Sequence, residues 1–291
     1  MMDEIAFKSL GNAVRPYLKN FSSVKSQLIK ADMRISLHEY VCRMVFFSIL
    51  AFVFSMPLLS FLFGLVLGFA KISSVALAFT LSISTSMIIT IMVFAGMYYY
   101  PSMKANDRKK RIDNALPFGT IYMSSVASSG APPAKIFKIL SNFGEFGELS
   151  DECAKIYNDT EIFGMDIKTA IQKAAERASS EGFKDLLWGM LTIITTGGNL
   201  TNYLREKSKA YMTDYRRKLN EYSQQLSLYI EMYITLIIVG SVFFLILSAV
   251  MAAISTSPLI ISVQFFVIFV FLPLVSIGFV IFMKGISPSE H

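Results

Sequence analysis

The sequence is short of charge. Only 16% of its 291 residues are Asp, Glu, Lys or Arg, whereas 54% are hydrophobic. Soluble domains carry about 25% charged residues, so this composition argues against an ordinary soluble enzyme built around one globular core. The excess apolar residues are expected to face lipid.

Cysteine and histidine are also scarce. The sequence has two of each, Cys42 and Cys153, His38 and His291. Two cysteines without C-x-x-C spacing cannot form a disulfide framework or a zinc finger, and two histidines exclude a histidine-rich metal site. The loops that bind nucleotide phosphates and the H-E-x-x-H motif of zinc peptidases are absent as well. We therefore expect no metal, no cofactor and no enzymatic activity.

Charge is missing altogether from residues 44–70, 72–103 and 232–283. A bilayer core about 30 Å thick takes roughly 20 apolar residues per helical crossing, so the first two segments predict one span each. The third segment is long enough for two spans, and the turn-forming residues 255–258 divide it near its middle. The sequence thus predicts an all-α membrane protein with four transmembrane helices in two hairpins.

The charged residues predict the orientation of these hairpins. Lys and Arg are concentrated in residues 1–43 and 101–231, whereas the opposite side of the bilayer has only Lys71. Positive residues that flank spans stay in the cytoplasm, so both termini and the central domain are expected there, in a multi-pass protein of the cell membrane. The net charge of +6 then reflects orientation, and we expect no nucleic-acid partner.

The predicted organisation has five parts. They are an amphipathic cytoplasmic region (1–43), a first transmembrane hairpin (44–100), a cytoplasmic helical domain (101–230), a second transmembrane hairpin (231–284) and a cytoplasmic tail (285–291).

Apolar residues in the central domain recur at intervals of three and four, as on the buried face of a helix. Three such stripes cover residues 149–163, 167–178 and 183–194. Three glycines stand 34 residues apart, each just after an apolar stretch, where a left-handed conformation can end a helix; these are Gly130, Gly164 and Gly198. Residues that start helices come next, namely Pro132, Pro133, Asp166 and Asn199. About six helices are expected in this domain.

Two basic clusters lie next to the predicted spans. Arg108, Lys109, Lys110 and Arg111 follow the second span, and Arg216, Arg217 and Lys218 precede the third. Two compatible interpretations remain open. The charges either set the topology and contact anionic lipid, or they form a docking surface for an acidic partner.

Two long stretches of the central domain resemble the type II secretion system F family. They read YYYPSMKANDRKKRIDNALPFGTIYMSSVASSGAPPAKIFKIL and EIFGMDIKTAIQKAAERASSEGFKDLLWGMLTIITTGGNLTNYL. The matching features, in order, are Leu116, Pro117, Gly130, Gly164, Asp166, Gly197 and Gly198. The stretch LIKADMRISLHEYVCRMVFF before the first span is similar to the archaeal flagellar and tight-adherence branch.

The resemblance implies a membrane platform protein. Such a platform couples a cytoplasmic secretion ATPase to the assembly of pilin-like subunits, and the two basic clusters would then be the ATPase docking surface. Many members carry two domains in tandem, whereas this chain has one, which implies a homodimer or pairing with a sister platform subunit. The alternative is a small transporter or channel with a cytoplasmic regulatory domain. The lack of ionisable side chains inside the predicted spans disfavours that alternative.

Overall fold

The computed structural model describes residues 16, 18, 21–33, 35–69, 75–254, 262 and 265–286. Over these residues the chain forms helices and turns and no strand, which confirms the all-α class. The chain divides into two compact units, Met1–Ser208 and Lys209–His291. Each unit is described separately below.

The first unit begins with a short helix and a helical hairpin. Helix α1 (Ser22–Lys30) precedes α2 (Leu37–Phe69), which packs along α3 (Val75–Ser128). A capping box starts α2: the Ser36 N–H donates to the Glu39 carboxylate at 3.0 Å, and the Glu39 N–H donates to the Ser36 hydroxyl at 3.2 Å. The first turns of α2 contribute the buried residues Tyr40, Val41, Cys42 and Met44, whereas the apolar side chains beyond Ser48 are largely exposed in the chain alone.

Helix α3 is 54 residues long, which corresponds to about 80 Å at 1.5 Å per residue. It runs without interruption from the second uncharged segment into the charged region. The boundary that the sequence places after residue 100 therefore falls inside one helix.

The chain stays helical through Pro101 because another helix supplies the missing hydrogen bond. Proline has no N–H, so Pro101 cannot donate to the carbonyl of Met97, one turn earlier. The hydroxyl of Tyr40, on α2, donates to that carbonyl at 2.7 Å. Tyr40 is buried, and it packs with Val24 and Leu28 of α1. The Tyr40 side chain of α2 thus contacts both α1 and the turn of α3 that contains Pro101.

Five further helices follow α3. They are α4 (Pro133–Ser141), α5 (Glu148–Glu161), α6 (Ile167–Arg177), α7 (Glu181–Thr196) and α8 (Leu200–Tyr233). A 3₁₀ turn, Gly144–Phe146, lies between α4 and α5. Together with the second half of α3, these helices account for the six that the sequence predicts between residues 101 and 230.

The predicted apolar stripes are buried faces of these helices. Fully buried residues include Leu149, Cys153 and Ile156 of α5, Ala170, Ile171, Ala174 and Ala175 of α6, and Phe183, Leu186, Leu187 and Met190 of α7. Phe163 is an exception to the predicted pattern, since 71% of it is exposed. The reason is that α5 ends at Glu161 and the chain turns at Gly164 before Phe163 can continue the buried face.

The glycines predicted to end helices are found at helix ends, with one correction. Gly130 and Gly164 have φ of +75° and +65°, but at the third predicted turn the left-handed residue is Gly197, with φ of +73°, and not Gly198. Gly197 takes this role because α7 ends in a Schellman turn, in which the Gly198 N–H donates to the Ile193 carbonyl at 2.9 Å.

The predicted helix starts are also present. Pro132 precedes α4, with Pro133 as its first residue, and Asp166 precedes α6. The Asn199 side chain accepts a hydrogen bond from the Asn202 N–H at 2.9 Å and so caps α8.

In the second unit, the described residues include the rest of α8 and two further helices with defined bounds, each preceded by a π-helical segment. The π-helical segment Ile234–Val239 leads into α9 (Gly240–Ile254), and the segment Val267–Phe271 leads into α10 (Leu272–Ile286). The hydroxyls of Tyr233 and Ser276 lie 3.1 Å apart, and the Tyr233 ring packs on Phe279 with a centroid distance of 4.6 Å. These contacts join the end of α8 to α10.

Among the described residues, three helices are long and apolar enough to cross a membrane, namely Leu37–Gly68, Ala76–Ser128 and Leu200–Val250. A shorter apolar helix covers Val267–Ile281. Three of the four predicted spans are therefore present as helices of sufficient length, which is typical of a membrane protein. The predicted fourth span starts outside the described residues, as do both predicted outer turns, at Lys71 and at residues 255–258.

We predict that Tyr40→Phe lowers the free energy of unfolding by about 1–3 kcal/mol, because it leaves the partly buried Met97 carbonyl without a donor. In a Pro101→Ala background the same substitution is expected to cost much less, since the backbone N–H of the new alanine takes over that carbonyl. Thermal unfolding of the full chain in detergent, followed by circular dichroism, gives the four melting temperatures of this cycle. Equal effects of Tyr40→Phe in both backgrounds would contradict the proposed role of Tyr40.

Candidate functional site

The structure separates the four basic residues that the sequence groups after the second span. Only 4% of Arg108 is exposed, whereas Lys110 and Arg111 are exposed and Lys109 is partly buried. Successive residues on a helix point about 100° apart, so a run of four charges cannot face one direction. Arg108 is the member that points into the fold.

Arg108 is surrounded by carboxylates from two other segments. Its Nε donates to Glu148 at 2.8 Å and its Nη2 donates to Glu152 at 2.6 Å, while the Asp32 carboxylate lies 3.8 Å away. Its Nη1 also contacts the Lys30 carbonyl at 3.5 Å. The guanidinium therefore joins α3 to α5 and to the turn that follows α1.

Glu152 is the second centre of this arrangement, with only 3% of its side chain exposed. Besides Arg108, it meets Lys155 at 3.0 Å and Arg177 of α6 at 3.5 Å. Further pairs join Lys155 to Asp32 (2.7 Å), Arg111 to Glu148 (3.0 Å), Lys173 to Asp159 (3.3 Å) and Arg177 to Asp159 (3.5 Å). We call these nine residues the ion-pair cluster. It connects α3, α5, α6 and the turn after α1.

Within the cluster, Arg108 and Glu148 favour each other's charged form. Burial opposes the charged form of Arg108, but the hydrogen bond to Glu148 and the nearby Glu152 and Asp32 carboxylates outweigh it and raise the pKa of the guanidinium. Burial also opposes the charged form of Glu148, yet the hydrogen bonds and charges of Arg108 and Arg111 lower the pKa of that carboxyl. The two ends of this pair therefore stabilise each other as ions.

The carboxylates of the cluster are functional candidates that the sequence reasoning missed. A signal for them exists in the pattern of α5. Glu152 lies three residues after Leu149, and Asp159 lies three after Ile156, so both occupy positions of the buried stripe. An acidic residue at a buried helical position needs a cationic partner, which here comes from α3 and α6.

The second basic cluster lies on α8, within the second unit. Arg217 pairs with Asp214 and, at 3.2 Å, with Glu221, and Lys218 pairs with Asp214 at 2.9 Å. Hydrogen bonds from Arg217 and Lys218 lower the pKa of Asp214. All these partners are three or four residues apart on one exposed helix, so the pairs are local.

These contacts narrow the set of cations that can meet a partner protein. Among the described residues, Lys109, Lys110 and Arg216 have no carboxylate partner, whereas Arg108 is enclosed by the fold. The docking role that the sequence assigns to all seven basic residues stays a prediction, and the structure directs its test to the exposed members.

The residues that carry the family resemblance lie at helix ends or in the packed interior. Leu116 and Pro117 are buried on α3, and the Thr120 hydroxyl donates to their carbonyls at 2.8 Å and 3.0 Å. The other five, Gly130, Gly164, Asp166, Gly197 and Gly198, lie at the turns between helices.

Groups that could support metal or thiol chemistry are sparse. Within the described part of the chain, no three His, Cys, Asp or Glu side chains are placed to hold a metal ion. Cys153 is fully buried, and that burial raises the pKa of its thiol, so the reactive thiolate is disfavoured.

Comparison with known proteins gives one family and two relatives. Residues 120–248 match the family described as type II secretion system (T2SS), protein F. An uncharacterised protein of Methanocaldococcus jannaschii is 25% identical over 210 residues, which cover 69% of this chain and 35% of that protein. Flagella accessory protein J of the same organism is 24% identical over 172 residues, or 59% of this chain and 30% of that protein. This chain thus spans about a third of the length of these relatives. No solved structure matches significantly.

We predict that Glu152→Gln lowers the free energy of unfolding by about 3 kcal/mol, because it leaves Arg108 and Arg177 partly uncompensated in the interior. The matched control is Glu221→Gln, which breaks an exposed pair with Arg217 on α8 and is expected to change the melting temperature far less. Circular dichroism melts of the full chain in detergent compare the two. Equal losses in both variants would mean that the ion-pair cluster does not organise the fold.

We also predict a dependence on pH. The pKa of Glu148 is lower in the folded chain than its ordinary value of 4.5, so its ion pairs stabilise the fold fully above about pH 4.5, and this contribution is lost as the pH falls through the folded value. As the pH falls below about 4.5, the ordinary pKa of a glutamate, the melting temperature of the parent protein is expected to decline more steeply than that of the Glu148→Gln variant. Parallel declines would contradict the role given to Glu148.

Proposed function

We propose that this chain is the membrane platform of a filament-assembly or secretion machine, because residues 120–248 match the type II secretion system protein F family. In this proposal four helices cross the cell membrane in two hairpins, formed by residues 44–100 and 231–284. Residues 101–230 form the cytoplasmic domain, and the segments 1–43 and 285–291 lie on the same side.

The continuity of α3 is the observation that carries this proposal. One helix holds an apolar stretch long enough to span a bilayer and, farther along, the buried Arg108. Arg108 is held by α5, and α5 is held by α6 through Glu152 and Arg177. A force on α5 or α6 therefore moves α3, and a helix without a break transmits that movement along its axis.

The proposed partners follow from the same role. A cytoplasmic secretion ATPase supplies the force, and pilin-like subunits are the cargo that moves out of the bilayer into the filament. The chain itself has no catalytic part in this scheme. A second platform subunit, either a copy of this chain or a sister protein, completes the assembly.

We predict that Lys110→Glu and Arg216→Glu, each made alone, weaken capture of the secretion ATPase by about threefold to tenfold, because both remove an exposed cation that has no carboxylate partner among the described residues. The loss is expected to shrink at high ionic strength, where exposed charges are screened. Binding is measured with the full chain in nanodiscs and the purified ATPase of the same organism.

The control for these variants is Lys168→Glu, which makes the same charge change at an exposed position of α6 outside the two basic clusters. Unchanged ATPase binding in both test variants, with correct membrane insertion, would reject the docking surface. Substrate flux through liposomes that contain this protein alone would instead support a transporter or channel.

A further inference from the structure

A pocket of about 340 Å³ opens on the first unit, apart from the buried centre of the ion-pair cluster. Three segments form its walls: α1, the part of α3 just after Pro101, and the junction between α6 and α7. Seven polar side chains line it: Gln27, Lys30, Ser102, Asn106, Lys109, Ser179 and Glu181. None of these residues is among the seven matching features of the family resemblance.

The charge of this pocket is unbalanced. Lys30 and Lys109 line it, and neither has a carboxylate partner in the part of the chain that the structure describes. This differs from the adjacent cations Arg108 and Arg111, which are both paired. One carboxylate, Glu181, also lines the pocket, and it lies 3.7 Å from Lys184, outside the lining. The positive charge of the two lysines therefore exceeds the negative charge of the lining.

Neutral hydrogen-bond donors accompany the two lysines. Gln27, Ser102 and Asn106 carry amide or hydroxyl groups at the pocket wall. Ser179 is 6% exposed, and its hydroxyl has no hydrogen-bond partner among the residues described. A buried hydroxyl without a partner is costly, so this position favours a ligand that brings an acceptor. Ammonium groups surrounded by neutral donors suit the oxygens of a phosphate.

The position of the pocket on α3 indicates where the phosphate comes from. Tyr98, Tyr99 and Tyr100 immediately precede the pocket residues Ser102 and Asn106. Clustered tyrosines mark the boundary between the acyl chains and the headgroups, and basic pockets at the cytoplasmic ends of transmembrane helices bind lipid headgroups.

We propose that this pocket binds a phosphate-bearing anion, and that the headgroup of an anionic phospholipid is its occupant. The inference rests on the proposed placement of α2 and α3 in the membrane, but it does not depend on the ATPase or on filament assembly. A bound phosphate joins Lys30 of α1 to Lys109 of α3 beside the start of α7. It thereby ties the helical domain to the lipid surface.

The test measures the melting temperature of the full chain in phosphatidylcholine nanodiscs, with and without phosphatidylglycerol. A separate set of samples compares sodium phosphate with sodium chloride at equal ionic strength. A ligand that binds only the folded state raises the melting temperature. We expect phosphatidylglycerol to raise it in the parent protein and to have little effect in Lys30→Gln/Lys109→Gln. The control, Lys104→Gln/Lys110→Gln, removes two exposed lysines of α3 that do not line the pocket and should keep the full shift.

Each outcome decides the proposal. A shift with phosphatidylglycerol that requires Lys30 and Lys109 supports a lipid headgroup, and a lysine-dependent shift with inorganic phosphate alone supports the site with a soluble phosphate compound as its ligand. No shift with either, or an equal shift in both double variants, overturns the site.

A second measurement covers the case in which the pocket variant does not fold. Native mass spectrometry of the parent protein from mixed micelles is expected to show retained phosphatidylglycerol in preference to phosphatidylcholine, and equal retention overturns the proposal. Neither readout involves the ATPase, so failure of the lipid site is distinguishable from failure of the proposed platform function.

Discussion

The buried contact between Arg108 and Glu152 is the constraint on which the first unit depends. Moving two charges out of water costs several kcal/mol per ion even after relaxation, and the cost is offset only when each ion is well paired. Glu152 meets this condition because α3, α5 and α6 each supply a cation to it, at 2.6 Å, 3.0 Å and 3.5 Å. Apolar helix faces tolerate small rotations and shifts along one another, whereas this arrangement of charges does not. The cluster therefore fixes how the three helices align.

A second constraint operates where α3 passes Pro101. A proline inside a helix leaves one carbonyl unpaired, and helices that span membranes tolerate this when a neighbouring group provides the donor. Tyr40 is that neighbour, and it also packs against α1. The unbroken path of α3 is thus a property of three helices together. It lets the apolar stretch and Arg108 belong to one continuous element.

These two constraints explain which features the sequence could predict. Spans, apolar stripes and glycine turns depend on residues close in the chain, so their patterns are visible without a structure, and the resemblance to the type II secretion system F family is confirmed. The continuity of α3 was not predicted because the composition changes sharply at residue 100 while the helix does not. The burial of Arg108 was missed because its partner Glu152 lies 44 residues away, although the position of Glu152 on an apolar stripe indicates a buried charge.

The difference between the two basic clusters bears on how a platform of this kind would work. The pairs on α8 are exposed and local, so a partner can replace them at little cost, which suits reversible docking. The pairs around Arg108 are buried and join separate helices, so separating them would expose uncompensated charge, which suits transmission without loss of alignment. A platform of the proposed kind would both release an ATPase and transmit its movement, so it would need both kinds of ion pair. The sequence shows two similar runs of Lys and Arg. The positions of their carboxylate partners distinguish them: the partners on α8 are local and exposed, which suits docking, whereas those of Arg108 lie on other segments of the fold, which suits a rigid contact between helices.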